Sequence, residues 1–215
     1  RYKRPIVTRA YHSSFELYDM HLYPGGAARL HTLRCMLGDA LFWQGVRTYV
    51  DEYAGKVVET DDFRRVMERV SGRSLGRFFD QWFHSPGYPV LEAEFEWDDS
   101  HHRGSFTIKQ SQVDAKAGVG LFSLPLTLAW TIDGETVRKQ VQIERELHGF
   151  VFEMEAEPEM VRVDPDFEVL HKLDFDPGVG KLETQLAEAS DVLGRILAGR
   201  ELIKKGKAAN IAKVR

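Results

Sequence analysis

Between Ser13 and Phe83 the apolar residues recur every three to four positions, which predicts a run of helices. Ser13-Ser14 can cap a first short helix carrying Phe15, Leu17 and Tyr18. Ala27, Leu30, Leu33, Arg34 and Leu37 define one face of a second, and Gly38 ends it. Asp39 is placed to cap a third, with Leu41, Phe42, Val46, Tyr49, Val50 and Tyr53 on its face. Thr60 caps the next, with Asp61 and Asp62 in the first turn where the helix dipole favours acids. Ser74 caps a last helix through Phe78, Phe79 and Trp82 to Phe83, and Pro86 stops it. Trp82, just before the pattern changes, is predicted to be buried.

From Gly87 the period falls to two, the mark of strands. Leu91 to Trp97 alternates cleanly, and Ser105 to Gln110 follows a turn holding Gly104. Leu124–Ile132 and Glu135–Ile143 flank Asp133-Gly134, a strong hairpin signal because both residues tolerate positive φ. Residues 149–154 and 160–163 add two short strands, so the stretch reads as an antiparallel β-sandwich. Glu153, Glu155, Glu157 and Glu159 read as a solvated strand edge. Residues 174–180, rich in Asp, Pro and Gly, read as a linker. Beyond it Leu182, Leu186, Ala189, Leu193 and Leu197 fall on one helical face, and Asp191 to Leu202 resembles the opening of a HEAT-like repeat. A single repeat cannot bury its own face, so further repeats or a partner are expected; a lone amphipathic helix folded back on the strands is the other reading. The expected class is α+β, divided into a helical region 1–86, a β-sandwich 87–173, and a linker with the start of a helical-repeat region 174–215.

Composition changes this picture little. The 215 residues are 43% hydrophobic and 29% charged, ordinary values for a globular chain. A net charge of −4 argues against a nucleic-acid partner. No run approaches the eighteen or so apolar residues of a membrane span. Cys35, the one cysteine, cannot form an internal disulfide, which favours a cytoplasmic setting, and its helical apolar context reads as a small core residue. Arg1-Tyr2-Lys3 and Lys204-Lys205-Gly206-Lys207 both read as the interior of a longer protein.

The segment Leu22-Tyr23-Pro24-Gly25-Gly26-Ala27, followed by Thr60-Asp61-Asp62-Phe63, Phe78-Phe79-Asp80-Gln81-Trp82 and Pro86-Gly87-Tyr88-Pro89, carries the strongest functional signal. Its order and spacing resemble the part of aminopeptidase N-type zinc metallopeptidases that follows their metal site. The β-region, with Pro125 and the Asp164-Pro165 turn, resembles the β-domain next to the catalytic domain of many members. In that family a tyrosine opposite the zinc sits in a Tyr-x-Lys-Gly turn, and Tyr23 matches it, with Gly25 where the lysine would stand. The resemblance implies that Tyr23 is catalytic: its phenol hydroxyl donates a hydrogen bond to the oxyanion of the tetrahedral intermediate.

The metal motif, His-Glu-x-x-His, does not occur. None of the eight histidines (His12, His21, His31, His84, His101, His102, His148, His171) is followed by Glu, and no two stand four apart. A catalytic zinc needs three protein ligands, so no metal or other cofactor is expected in this chain. His101-His102 reads as a solvated turn, and His21 and His31 as helix-surface or interhelical hydrogen-bonding residues. Asp164 and Asp166 read as turn caps. Phosphate-loop and Gly-x-Ser-x-Gly signatures do not occur. The resemblance thus implies a piece of a zinc aminopeptidase, inactive alone, whose zinc ligands and Gly-x-Met-Glu-Asn motif lie in a missing N-terminal half, with peptides as the parent's substrates. The rivals are a non-catalytic interaction scaffold on the same fold, and a β-sandwich binding module presenting Trp97 or Trp130.

Overall fold

The structure, a computed structural model, describes residues 4–206. It is α+β: helices, then two small sheets, then two helices. Two compact units divide it. The first holds the chain up to Pro89 together with Gln112–Phe122 and Glu168–Lys172; the second holds Val90–Ser111, Ser123–Phe167 and the chain from Leu173. The chain-interior expectation for Arg1-Tyr2-Lys3 and for Lys207 falls outside the described residues.

In the first unit a 3-10 turn, Ser14–Leu17, is capped by the Ser13 hydroxyl accepting the Phe15 N–H. Then come α1 (Tyr23–Leu37), α2 (Asp39–Tyr53), α3 (Thr60–Ser71) and α4 (Gly76–Phe79), continued by a wider π turn over Asp80–His84. Gly38, at φ 82°, separates α1 from α2 and is the N-cap residue of α2. Asp39 is therefore inside the helix, and its carboxylate takes the Arg34 guanidinium at 2.7 Å. The cap of α3 likewise falls one residue before Thr60: the Glu59 N–H donates to the Asp62 carboxylate at 2.9 Å. Nor does Ser74 cap α4, whose N-cap is Leu75.

The core of this unit is aromatic. Phe79 stacks on Phe83 at 4.9 Å between centroids, Phe63 meets Tyr49 at 5.1 Å, and Trp82 packs on Phe122 at 5.0 Å. Trp82 is 1% exposed, so the expected burial holds. Gly45 of α2 faces Met67 of α3, both buried. The buried face of α1 differs from the expected one: it consists of Arg29, Thr32, Leu33 and Leu37. Cys35 lies off that stripe and is exposed, with its sulfur 3.5 Å from His31 Nε2. The core expectation for Cys35 is corrected accordingly.

The second unit has a four-stranded sheet in the order β5-β2-β1-β7 and a three-stranded sheet in the order β4-β3-β6. Its strands are β1 (Val90–Asp98), β2 (Arg103–Gln110), β3 (Leu124–Ile132), β4 (Glu135–Ile143), β5 (Leu147–Glu153), β6 (Met160–Val163) and β7 (Lys172–Phe175). β1 pairs antiparallel with β2, with Phe95 opposite Phe106, and β2 with β5. β3 pairs antiparallel with β4 and with β6. Asp133 and Gly134, at φ 51° and 76°, make the β3–β4 turn. Trp130 of β3 lies against Phe152 of β5 and Phe106 of β2, at 4.9 and 6.3 Å, so it is interior rather than displayed for a ligand. β3 is buried along most of its length, as a strand covered on both faces must be.

Three expectations for this unit are corrected. The stretch starting at Asp174 is not all linker: Asp174 and Phe175 belong to the edge strand β7. Glu155, Glu157 and Glu159 follow β5 in a loop, where Glu157 pairs with Lys181 at 2.6 Å and Glu159 accepts the Asp133 N–H. The single leucine stripe is split between α5 (Val179–Glu188) and α6 (Val192–Lys204), because Asp191 starts a new helix by accepting the Gly194 N–H at 2.5 Å. The two helices share a core of Leu182, Leu186, Ala198 and Leu202, while Leu193 and Ile196 stay exposed. Lys205 and Gly206, at φ 70°, close α6.

Candidate functional site

Tyr23 is the first residue of α1. Its placement begins with Asp19, whose carboxylate accepts the Leu22 N–H at 2.8 Å and pairs with Arg4 at 3.1 Å, while the Asp19 carbonyl accepts the Tyr23 N–H. The Leu22 hydrogen bond, followed by Arg4, holds the Asp19 carboxyl below its ordinary range. Asp19 thus serves the start of α1 as a capping side chain, and Pro24, in the first turn, carries no N–H that would need a partner.

On the inner side of the turn lie His21 and Arg29, 4% and 1% exposed. Burial, with the charge of Arg29 behind it, lowers the His21 imidazole from its ordinary range and favours the neutral ring. Arg29 donates from Nε to the Trp82 carbonyl at 2.6 Å, from Nη1 to the Gly25 carbonyl at 3.0 Å, and from Nη2 to the Gly87 carbonyl at 2.9 Å. Burial pushes its guanidinium down to about 10, so it remains charged at neutral pH.

With its backbone held in this way, the Tyr23 ring points outward, 61% exposed. It lies 6.0 Å from the Tyr18 ring, which lies 6.3 Å from Phe15, so three exposed aromatics form one patch at the opening of α1. Sequence reasoning singles out Tyr23 and misses Asp19, Tyr18 and Arg29.

The histidines do not converge. His101 bonds Asp98 at 2.7 Å in the exposed β1–β2 turn, where Ser100 and His101 pull the Asp98 carboxyl down to about 2. His148 Nε2 accepts the Glu144 and Arg145 N–H groups, and His171 Nδ1 bonds the Val169 carbonyl. Among the described residues no group of three or more His, Cys, Asp or Glu could hold a metal ion. Asp164, at φ 47°, accepts the Phe167 N–H in a turn, and Asp166 pairs with Arg138. A cleft of about 200 Å³ in the second unit is lined by Thr131, Thr136, Arg138 and Arg162. Of these, the two threonine hydroxyls bond each other, Arg138 pairs with Asp166, and Arg162 pairs with Asp191.

Known proteins resemble this chain across the same segment and beyond it. Residues 1–82 match the peptidase family M1 domain. Aminopeptidase M1-C of Oryza sativa subsp. japonica is 28% identical over 128 residues, 58% of this chain and 14% of that protein. Aminopeptidase N of Haemophilus influenzae is 31% identical over 94 residues, 44% of this chain and 11% of its own. Glutamyl aminopeptidase of Bitis rhinoceros is 25% identical over 178 residues, 79% of this chain and 18% of its own. This chain therefore spans less than a fifth of each of these relatives. The crystal structure of Legionella pneumophila aminopeptidase A in complex with aspartic acid superposes with a TM-score of 0.78 at 19% identity, covering 95% of this chain and 24% of that one. On the matched residues 1–82, these relatives and the shared fold, the chain is related to the M1, aminopeptidase N-type, peptidases.

Proposed function

We propose that this chain supplies the tyrosine side of the active site of a zinc aminopeptidase, which removes N-terminal residues from peptides. In this reading residues 1–86 are the later helical part of the catalytic domain, to which loops 112–122 and 168–172 return. Residues 87–173 are its β-sandwich neighbour, and residues 174–215 lead into a HEAT-like helical region. The peptidases of this family use zinc, and the described residues of this chain do not form a site for it. The metal ligands are assigned in this reading to an N-terminal half outside the chain, and the chemistry that falls to these residues is that of Tyr23 and its supports.

The observation that carries the reading is Tyr23 itself, its N–H held by the Asp19 carbonyl and the turn after it held by Arg29 at the Gly25 carbonyl, with its ring outward at the helix start. A fixed donor costs no reorganisation when charge develops on the substrate oxygen. The phenol then donates to the oxyanion more strongly than to the neutral carbonyl, which selectively lowers the barrier. Tyr23→Phe in the complete peptidase should leave KM nearly unchanged and reduce kcat about 100- to 1,000-fold. Unchanged turnover would refute the role. Reading the gene upstream of Arg1 is the companion test: a His-Glu-x-x-His motif there supports the enzyme, and its absence would favour the interaction scaffold.

A further inference from the structure

We infer that Arg29 is a positioning residue for Tyr23, and that Gly25 is glycine because the Arg29 guanidinium occupies the space beside it. The inference rests on the reading of Tyr23 above. An arginine that is 1% exposed is unusual on its own, because a buried charge needs partners. Here no carboxylate neutralises it among the described residues. Its partners are three backbone carbonyls from three segments: Gly25 in the turn that presents Tyr23, Trp82 in the π turn, and Gly87 at φ 87° after the last helix. A guanidinium presents donors in a planar fork that one side chain can direct to several acceptors, which an ammonium on a flexible stem does less well.

The position of the fork explains the departure at position 25. A Cβ on Gly25 would sit 3.2 Å from Arg29 Nη1 and 3.8 Å from His21 Nδ1. The lysine of the Tyr-x-Lys-Gly turn would thus press against the buried guanidinium. Arg29, one helical turn later, ties down the same turn from inside. Tyr23 is two residues from Gly25, so the bond at the Gly25 carbonyl couples the position of the phenol to the π turn.

Two measurements test this separately from the role of Tyr23. The first uses this chain and hydrogen exchange. Arg29→Lys should speed exchange of the amides of Tyr23 and Gly26 about tenfold while leaving α3 unchanged, because local opening follows local anchoring. Arg29→Met serves as the stronger perturbation where it folds. Unchanged protection at the turn overturns the inference, whatever Tyr23 does. The second uses the complete peptidase. Arg29→Lys should lower kcat about 10- to 100-fold with KM within about twofold, since a small misplacement of a catalytic group is costly. In the Tyr23→Phe background the same change should lower kcat no further, because residues acting through one group are not additive. Equal losses in both backgrounds would overturn the inference. Normal turnover in Tyr23→Phe alone, where Arg29 is intact, refutes the oxyanion role instead.

Discussion

Trp82→Ala is the change expected to damage the first unit most. The indole is 1% exposed, packed on Phe122 at 5.0 Å and Phe78 at 6.0 Å. A buried aromatic of this size removes roughly 150–250 Å² from water, worth about 4–6 kcal/mol at about 25 cal/mol per Å². Alanine retains the Cβ share, and the cavity left behind relaxes only in part, so the expected loss is about 3–5 kcal/mol. The Trp82 carbonyl is backbone, so its bond from Arg29 survives and the loss measures packing alone. At about 4 °C per kcal/mol for a unit of this size, the melting midpoint should fall by about 12–20 °C. Urea unfolding followed by far-ultraviolet circular dichroism gives the free energy, with an unchanged m-value as the check that the unfolded state is comparable. Trp82→Phe, which keeps a ring against Phe122, should lose less than half as much. A midpoint within about 3 °C of wild type would refute the packing argument.

The other predictions are smaller in scale. A Cβ at Gly45 would overlap the Met67 sulfur, so Gly45→Ala should cost about 1–3 kcal/mol by overpacking, although alanine is the better helix former. In a Met67→Ala background the same change should become stabilising by up to about 1 kcal/mol, and equal costs in both backgrounds would refute the steric cause. Burial holds the His21 pKa below its ordinary 6.5, so the folded state takes up its proton later than the unfolded chain; stability is full above pH 6.5 and declines as pH falls below it. His21→Phe should flatten that decline in urea titrations between pH 7 and pH 5. A variant whose stability falls as steeply as wild type would place the pH dependence elsewhere, with His148, also lowered by burial, the next group to replace.

The parts of the fold legible in the sequence are those where one local rule acts alone. Asp133-Gly134 forms its hairpin because both residues accept positive φ, and β1 alternates because only one of its faces is buried. The reading fails where two signals compete. Asp174 and Asp176-Pro177-Gly178 look like a linker, yet four residues from Lys172 form an edge strand, which needs few apolar side chains. The leucine spacing across residues 182–197 fits one helix, but the Asp191 carboxylate caps the Gly194 N–H and starts a second. In α1 the leucines at 30, 33 and 37 already place Cys35 on the opposite face of the helix, and Arg29 and Thr32 widen the buried stripe without reaching it, so an apolar neighbourhood in sequence is no guide to burial there.

The same buried arginine explains why only part of the site could be read. Tyr23 is visible because its surroundings, from Leu22 to Ala27, are local in sequence. Its support is not local: Arg29 reaches Trp82 and Gly87, 53 and 58 residues away, and those acceptors are carbonyls that every residue type carries. No side-chain pattern at Trp82 or Gly87 announces a guanidinium. The one trace left in sequence is on the near side, where a turn resembling Tyr-x-Lys-Gly has glycine in the lysine position and an arginine four residues on. Each departure alone reads as a loosened turn. On the proposed role of Tyr23 the two together fit a turn tied down from the core beneath it, where the Arg29 guanidinium fixes the carbonyl two residues from the tyrosine.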